Sequence, residues 1–502
     1  MTRLRFPRLA YNPISIAGAV IAAVIAALIV ILLAFQAFQK TGNPYLGIFV
    51  YMVLPPILVF GLVLIPIGMA RRKRIIKETG QASGPQWPYI DLNLRTHRNA
   101  FFVFAFGTMA FVLIGGIGGY QAFHYTESVT FCGKTCHVIM KPEHTAYQNS
   151  PHARVACTEC HVGPGAGWYA KSKLSGLYQV YATIANVYPR PIPTPIKSLR
   201  PAQETCEQCH WPAKFFGNQT RRFDHYMYGD ENTHWPVSML VKTGGGEPKL
   251  TETGGIHWHM NISVKIEYIA RDERRQDISW VRVTRPDGTV TVYQDEKAAL
   301  GKEEIQASEI RRMDCVDCHN RPSHKYNAPD QLVDRAIVTG QIDPNLPGIK
   351  RIGVEAMAGE YQTEEEASAS IADKITAFYR EKHPEVLESN RGVLDRAIAV
   401  TQDYYAQNMF PEMKVRWDRY PDNIGHFIYP GCMRCHDGEH VDETGRAISR
   451  DCSSCHVIMT QGSGDRAQMA DTPDGLEFVH PEDIGEEWRE TACFECHTGT
   501  QP

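Results

Sequence analysis

Three long apolar runs stand at the front of this chain, and a polar remainder follows them. Residues 14–35 (ISIAGAVIAAVIAALIVILLAF) carry no charge over 22 positions, enough for a helix to cross a bilayer. Residues 45–70 (YLGIFVYMVLPPILVFGLVLIPIGMA) form a second uncharged run, with kinks expected at Pro55-Pro56 and Pro66. Residues 100–123 (AFFVFAFGTMAFVLIGGIGGYQAF) form a third. Buried core helices would explain one such run, not three gathered ahead of a polar region. The pattern predicts three N-terminal transmembrane helices.

Basic residues orient them. Arg3, Arg5 and Arg8 precede the first run and Arg71-Arg72-Lys73-Arg74 follow the second, whereas the loop between holds only Lys40. The N-terminus and the loop 71–99 are therefore expected in the cytoplasm, and everything after about residue 124 outside it. The first run is too long, and lacks the small-residue cleavage site, to be a removed signal peptide.

Past residue 124 the periodicity changes. Residues 124–215 show little regular pattern, and 216–314 read as a β-rich insert. There HWHMNISVKIEYIA alternates like a strand, and DISWVRVTRPDGTVTVYQ reads as a hairpin turning at Pro286-Asp287-Gly288. Residues 315–431 begin irregularly and then read as helical, as in EEEASASIADKITAFYREKH and GVLDRAIAVTQDYYAQNMF. Residues 432–502 form a C-terminal segment without a clear period. The net charge of −4 gives no reason to expect a nucleic-acid partner.

The irregular stretches are where the cysteines lie. All 14 fall in pairs: Cys132/Cys136, Cys157/Cys160, Cys206/Cys209, Cys315/Cys318, Cys432/Cys435, Cys452/Cys455 and Cys493/Cys496. Each pair is followed at once by a histidine: His137, His161, His210, His319, His436, His456 and His497. C-x-x-C-H is the attachment motif of c-type haem. Two thiols form thioethers with the porphyrin vinyls, and the adjacent imidazole reaches the iron as proximal ligand. Zinc ribbons need paired knuckles and no histidine after each pair. Disulfides across so short a loop would constrain almost nothing. The expected cofactors are seven covalent haems c, and their attachment outside the cytoplasm agrees with the charge-derived orientation. Seven haems would occupy much of the interior. The fold class is thus a multihaem cytochrome c, with three N-terminal transmembrane helices, a haem-packed periplasmic region of helix and loop, and a β-rich insert.

Seven of the 20 histidines are proximal, leaving 13. Position beside a motif marks His152, His324, His426 and His440 as expected distal ligands, with His480 and one of His257 and His259. The last two, if on a strand, point to opposite faces. His97 is cytoplasmic by the topology above, and His225, His234 and His383 read as surface or hydrogen-bonded residues. That gives six second ligands for seven motifs. The first motif is the one left over: Cys132 and Cys136 are separated by three residues rather than two, and Met140 follows His137 by three. Its iron ligand is His137, Met140 or both.

Residues about 100–215 resemble the NapC/NirT/NrfH family of membrane-anchored cytochromes. The likeness lies in one membrane span, then CHVIM, then QNSPHARVACTECHV, then RPAQETCEQCHWP, in that order. The family's first motif usually has two intervening residues and a methionine two places after its histidine, so this chain departs from it at both points. The resemblance implies quinol oxidation at the outer membrane face and electron transfer to periplasmic partners. It also implies a lysine near the quinol, here Lys171 or Lys173, either of which reads equally well as an interfacial anchor. The family's acidic residue falls near Gln179, which carries no carboxylate. Three spans and seven haems together resemble the larger heptahaem inner-membrane cytochromes of metal-respiring bacteria.

The expected activity is that of a quinol dehydrogenase in the bacterial inner membrane, with (mena)quinol as substrate and the haem region in the periplasm. Glu143, His144, Lys171 and Lys173 are the expected proton acceptors. Partners would be the quinone pool and a periplasmic soluble cytochrome or reductase, and a homo-oligomer or larger complex is compatible with this. Two other classes fit the same motifs: an electron-transfer subunit of a larger membrane complex, and a multihaem terminal reductase of a small nitrogen compound.

Overall fold

Lipid offers the backbone no hydrogen-bond partner, so an apolar run closes its own bonds as a helix. The computed structural model describes residues 8–38, 53–79, 91–135, 137–163, 165–196, 200–212, 217–245, 255–260 and 263–500. Helix α1 (Pro13–Phe38) covers the first apolar run and α2 (Leu54–Thr79) the second. Residues 45–52 lie outside the described set. Pro55 and Pro56 stand in the first turn of α2, where a missing N–H costs nothing, so they begin this helix rather than kink it; Pro66 is inside it.

Helices α1 and α2 meet backbone to backbone. A Cβ added at Gly18 would lie 2.6 Å from the Gly61 carbonyl oxygen, and one at Gly61 would lie 2.9 Å from the Ala22 nitrogen. Small residues permit that approach. Ser15 Oγ donates to the Ile65 carbonyl at 2.8 Å, and Asn12 Nδ2 donates to Ser15 Oγ at 2.7 Å.

Among the described residues two helices, not the expected three, are long and apolar enough to cross a membrane. The third expected span is a single helix, α3 (Arg95–Thr126). Side chains 110–119 at its middle lie outside the described residues.

The chain divides into two compact units, Met1–Ser128 with Val162–Tyr178, and Val129–His161 with Gln179–Pro502. The larger begins with α4 (His137–Gln148); α5 (Ala166–Ala185) runs from the smaller into the larger. Two antiparallel sheets follow. In one, β1 (Gln219–Tyr226) and β2 (His234–Val241) are continued by β8 (His456–Gln461) and β9 (Gln468–Met469), in the order β1-β2-β8-β9. In the other, β3 (Lys265–Ala270), β4 (Ile278–Thr284) and β5 (Val290–Asp295) lie between two short edge strands, β6 (Arg311–Arg312) and β7 (His440–Val441). The β-rich insert is therefore present, but each of its sheets takes a strand from the C-terminal segment.

The β4–β5 hairpin pairs Thr284 with Val290. Asp287 Oδ1 accepts from the Thr289 amide at 2.9 Å, and Gly288 supplies φ +83°. The strand expected over HWHMNISVKIEYIA is shorter than its alternation suggests. It begins at Lys265, and Ile256–Met260 form a turn of 3-10 helix instead.

The main apolar core is helical. Helices α6 (Pro329–Val338), α7 (Ile349–Ala358), α8 (Glu364–Lys382) and α9 (Arg391–Asn408) bury Leu332, Ile349, Ile371, Ile375 and Leu394 almost completely. Helix α8 starts where Thr363 Oγ accepts from the Glu366 amide at 3.1 Å. Three glutamates fill its first turn, and Arg380 and Lys382 its last, matching the helix dipole. Its Ile371, Ile375 and Tyr379 recur every fourth residue on the buried face.

Candidate functional site

The cysteine–histidine motifs sit on single helical turns tied to this frame. In four of them the amide of the closing histidine reaches back to the carbonyl of the first cysteine: His210 to Cys206 at 2.8 Å, His319 to Cys315 at 2.7 Å, His436 to Cys432 at 3.1 Å and His497 to Cys493 at 2.8 Å. One helical turn thus presents two thiols and an imidazole together.

The cysteines differ in how far the chain itself encloses them. Cys209 and Cys496 are exposed, as are Cys160 and Cys452, whereas the remaining described cysteines are half-buried. The reason is where each stands on its turn. Cys209 follows the 3-10 turn Cys206–Gln208, with its amide donating to the Cys206 carbonyl at 3.1 Å, and Cys496 ends the turn Cys493–Cys496. Both lie where the chain leaves the turn at the surface. Cys206 and Cys493, which open the same turns, are the half-buried members of these pairs. A thioether uses one bond of the sulfur, so an exposed thiol still suits attachment to a porphyrin edge that meets solvent.

The first motif is built differently. Phe131–Thr135 form a turn of π-helix, which takes up one residue more than an α-turn, and α4 starts at His137. Cys136 and the His137 side chain lie outside the described residues. Met140 and His144 follow on α4 at helical intervals, one and two turns on. His144 is packed against the motif itself: a Cβ at Gly133 would lie 2.1 Å from its Cδ2.

Each of the other six motif histidines faces a second imidazole. Ring centres are 6.3 Å apart for His161 and His324, 6.1 Å for His210 and His152, and 6.4 Å for His319 and His257. They are 5.9 Å apart for His436 and His259, 6.1 Å for His456 and His426, and 6.1 Å for His497 and His480. An imidazole nitrogen binds a metal at about 2.0–2.1 Å and stands about 1.1 Å from its ring centre, so two rings on opposite sides of one iron have centres about 6.3 Å apart. The residues present fit haem iron with two axial imidazoles. Among the described residues no group of three or more His, Cys, Asp or Glu is placed to hold a metal by itself, as a zinc site with an all-protein ligand set requires.

The partner rings are also oriented for this. Nδ1 of His152 donates to the Pro322 carbonyl at 3.2 Å, of His257 to Thr243 at 2.9 Å, and of His259 to Ile256 at 2.7 Å. Nδ1 of His324 donates to Glu143 at 3.0 Å, and of His480 to Glu482 at 2.8 Å. His436 does the same toward Ser449 at 2.7 Å. Binding Nδ1–H to a backbone carbonyl fixes the tautomer and turns Nε2 toward a metal.

Two expectations about the second ligands are corrected here. His257 and His259 both face motif histidines, because the 3-10 turn carries them past different motifs where a strand would have turned one away. His440 faces none. Its Nδ1 donates to the Asp437 carboxylate at 2.9 Å, its Nε2 donates to the Ile278 carbonyl at 2.8 Å, and its side chain is 2 % exposed. With both nitrogens facing acceptors the ring is held as a cation. Burial alone would lower its pKa, but the Asp437 hydrogen bond and charge outweigh that and raise it. His234 is similarly taken up by Asp224, at 2.7 Å.

The motifs also touch one another. The Cys132 sulfur lies beside that of Cys157, and the Cys315 sulfur beside that of Cys206, so the first motif abuts the second and the third abuts the fourth. Asp317, inside the fourth motif, accepts from Tyr268 Oη at 2.7 Å, Arg311 Nε at 2.9 Å and Arg275 Nη1 at 3.1 Å. That buried carboxylate fastens the motif to the five-stranded sheet, and nothing in its local sequence pointed to it.

The expected quinol-site residues fall in both units: Glu143, His144 and Gln179 in the larger, Lys171 and Lys173 in the smaller. Lys173 forms an ion pair with Glu127 and lies over the Tyr169 ring, and Lys171 lies over Trp168. Glu143 is buried, which raises its pKa against the lowering effect of Arg321; burial also lowers that of His144. Gln179 is exposed on α5.

Paired imidazoles beside cysteine pairs, on a chain fronted by apolar helices, define a membrane-anchored multihaem c-type cytochrome. Residues 94–191 match the N-terminal region of the NapC/NirT cytochrome c family. The chain is 46 % identical over 490 residues to the cytochrome c-type protein ImcH of Geobacter sulfurreducens, covering 97 % of this chain and 95 % of that one. It belongs to this family of electron-transport cytochromes, which carry covalent haem c. No solved structure matches it.

Proposed function

We propose that this chain is a heptahaem quinol dehydrogenase of the inner membrane, which oxidises menaquinol or a related quinol at the periplasmic face and delivers the electrons to periplasmic acceptors in anaerobic respiration. One observation carries the reading: six motif histidines each face a second imidazole at the spacing of a shared iron. The seven cysteine pairs would hold the porphyrins. His161, His210, His319, His436, His456 and His497 would be proximal ligands, with His324, His152, His257, His259, His426 and His480 opposite them in that order. Haem c so held supplies reversible one-electron oxidation and reduction, tuned by axial ligands and burial.

The first motif serves the quinol. Its ligand comes from His137 or Met140, and its altered spacing stands next after α3, which we take as the third membrane span. Quinol oxidation releases two protons for every two electrons. His144, Glu143, Lys171 and Lys173 are the groups available to accept them, with Gln179 in place of the family's acid. Everything beyond α3 would then lie in the periplasm, where soluble cytochromes or a reductase can dock.

The test is the purified full chain, matured in a host that attaches haem c. Mass and pyridine haemochrome should give seven haems per chain, and a soluble menaquinol analogue should reduce them. Seven haems reducible by dithionite but by no quinol would overturn the dehydrogenase reading and leave an electron-transfer subunit. Turnover of nitrite or hydroxylamine would replace it with a terminal reductase.

A further inference from the structure

We propose that the turn Ile256–Met260 and the side chain of Arg434 form a junction that holds the fourth and fifth haems as direct neighbours, where electrons cross into the C-terminal segment that carries the last three motifs. This rests on the ligation proposed above and adds which two haems abut and what fixes them.

On the distal side, one turn of 3-10 helix carries both imidazoles. His257 faces His319 of the fourth motif at 6.4 Å, and His259 faces His436 of the fifth at 5.9 Å. Residues two apart have Cα atoms no more than about 7 Å apart, so the two ligands cannot separate. The turn is held firmly. The Thr243 carbonyl accepts from both the amide and Nδ1 of His257, at 3.0 and 2.9 Å. Gly245, at φ +89°, lets the strand end approach so closely that a Cβ there would lie 2.3 Å from the His257 carbonyl carbon. Trp258, between the two histidines, packs against the apolar face of the five-stranded sheet.

On the proximal side, the two motifs are bonded to each other. Arg434 lies between Cys432 and Cys435 and is 9 % exposed. Its Nη2 donates to the Asp317 carbonyl of the fourth motif at 2.8 Å, its Nη1 to the Arg275 carbonyl at 2.7 Å, and its Nε to the Gly431 carbonyl at 2.8 Å. A buried guanidinium is held only where its donors are satisfied, and here those acceptors come from the fourth motif, the β3–β4 loop and the start of the fifth motif. The transfer this serves is a single electron. His319 with His257, and His436 with His259, would hold the two haems between which it passes, one giving up the electron that the other takes, with no bond made and no proton moved.

The two ligand pairs are spectroscopically distinguishable, because the ring planes lie 6° apart in the first and 76° apart in the second. The experiment compares His257→Met and His259→Met in the full seven-haem chain by ferric electron paramagnetic resonance and redox titration. Each substitution should give one haem methionine ligation and a raised potential. Each should also shift the potential of the other junction haem, since adjacent charges interact. Arg434→Gln should keep all seven haems and both spectra while weakening that mutual shift; if it loses haem, Arg434→Lys replaces it in the comparison. If each methionine variant alters its own haem and no neighbour, or alters the two at once through one spectrum, the junction is wrong. If neither variant changes any ferric spectrum, the ligation reading itself fails.

Discussion

Replacing His440 separates a structural histidine from a haem ligand. In sequence, His440 follows the fifth motif as closely as His324 follows the fourth, and position alone marks both as ligands. The structure commits both His440 nitrogens elsewhere, at 2.9 Å to Asp437 and 2.8 Å to Ile278. His440→Ala should therefore leave the ligation of every haem unchanged and cost stability. Hydrogen bonds to charged groups are worth about 1.5–3 kcal/mol each, and an unpaired buried carbonyl about 1–3 kcal/mol. The half-buried Asp437 recovers water, so the expected loss is about 3 kcal/mol. The assay is urea denaturation followed by far-ultraviolet circular dichroism, with ferric spectra recorded on the same samples.

The pH dependence has a definite sign. The folded pKa of His440 is raised, so its contribution is complete below the unfolded value of about 6.5 and is lost as pH rises through the folded value. The gap between the native chain and the variant should narrow above neutrality. A new high-spin ferric signal in His440→Ala, or an unchanged denaturation midpoint, would refute this reasoning.

Three further outcomes follow from the same geometry. Asp317→Ala leaves Arg275 and Arg311 without their buried carboxylate and should cost about 3–5 kcal/mol in denaturation, with the fourth haem's spectrum disturbed more than the others. Gly133→Ala drives a methyl group into the His144 ring, an overpacking expected to cost about 1–3 kcal/mol; it should slow quinol-driven reduction while dithionite still reduces all the haems. Met140→Leu should lower quinol-driven reduction in the same selective way, and equal loss with both reductants would remove the special role given to the first motif.

Much of this protein is written in short-range order. Cysteine pairs closed by histidine are covalent chemistry at fixed spacing, and a single helical turn presents them with little help from the rest of the fold. Which thiols of those pairs are enclosed is another matter, since Cys209 and Cys496 end their turns at the surface. Uncharged runs are likewise local, and α1 and α2 form where the composition puts them. The Pro-Asp-Gly turn and the helices from α6 to α9 follow from turn chemistry and period.

The second ligands are a tertiary matter, because an imidazole reaches another motif only if the chain between them folds back. His324 and His161 are separated by more than 160 positions, yet their rings meet at 6.3 Å. The alternation in HWHMN reads as a strand, but Gly245 and the Thr243 carbonyl hold it as a turn from which both histidines face motif histidines. His440 looks like its neighbours until Asp437 and Ile278 take both its nitrogens. Arg434 and Asp317 carry no signal in their own stretches, since the bond that joins their two motifs spans more than 100 residues. Sequence by itself determined the cysteine–histidine chemistry of the motifs and the apolar helices α1 and α2. Which imidazoles pair, and which motifs touch, was decided only when long-range packing chose partners for each buried nitrogen.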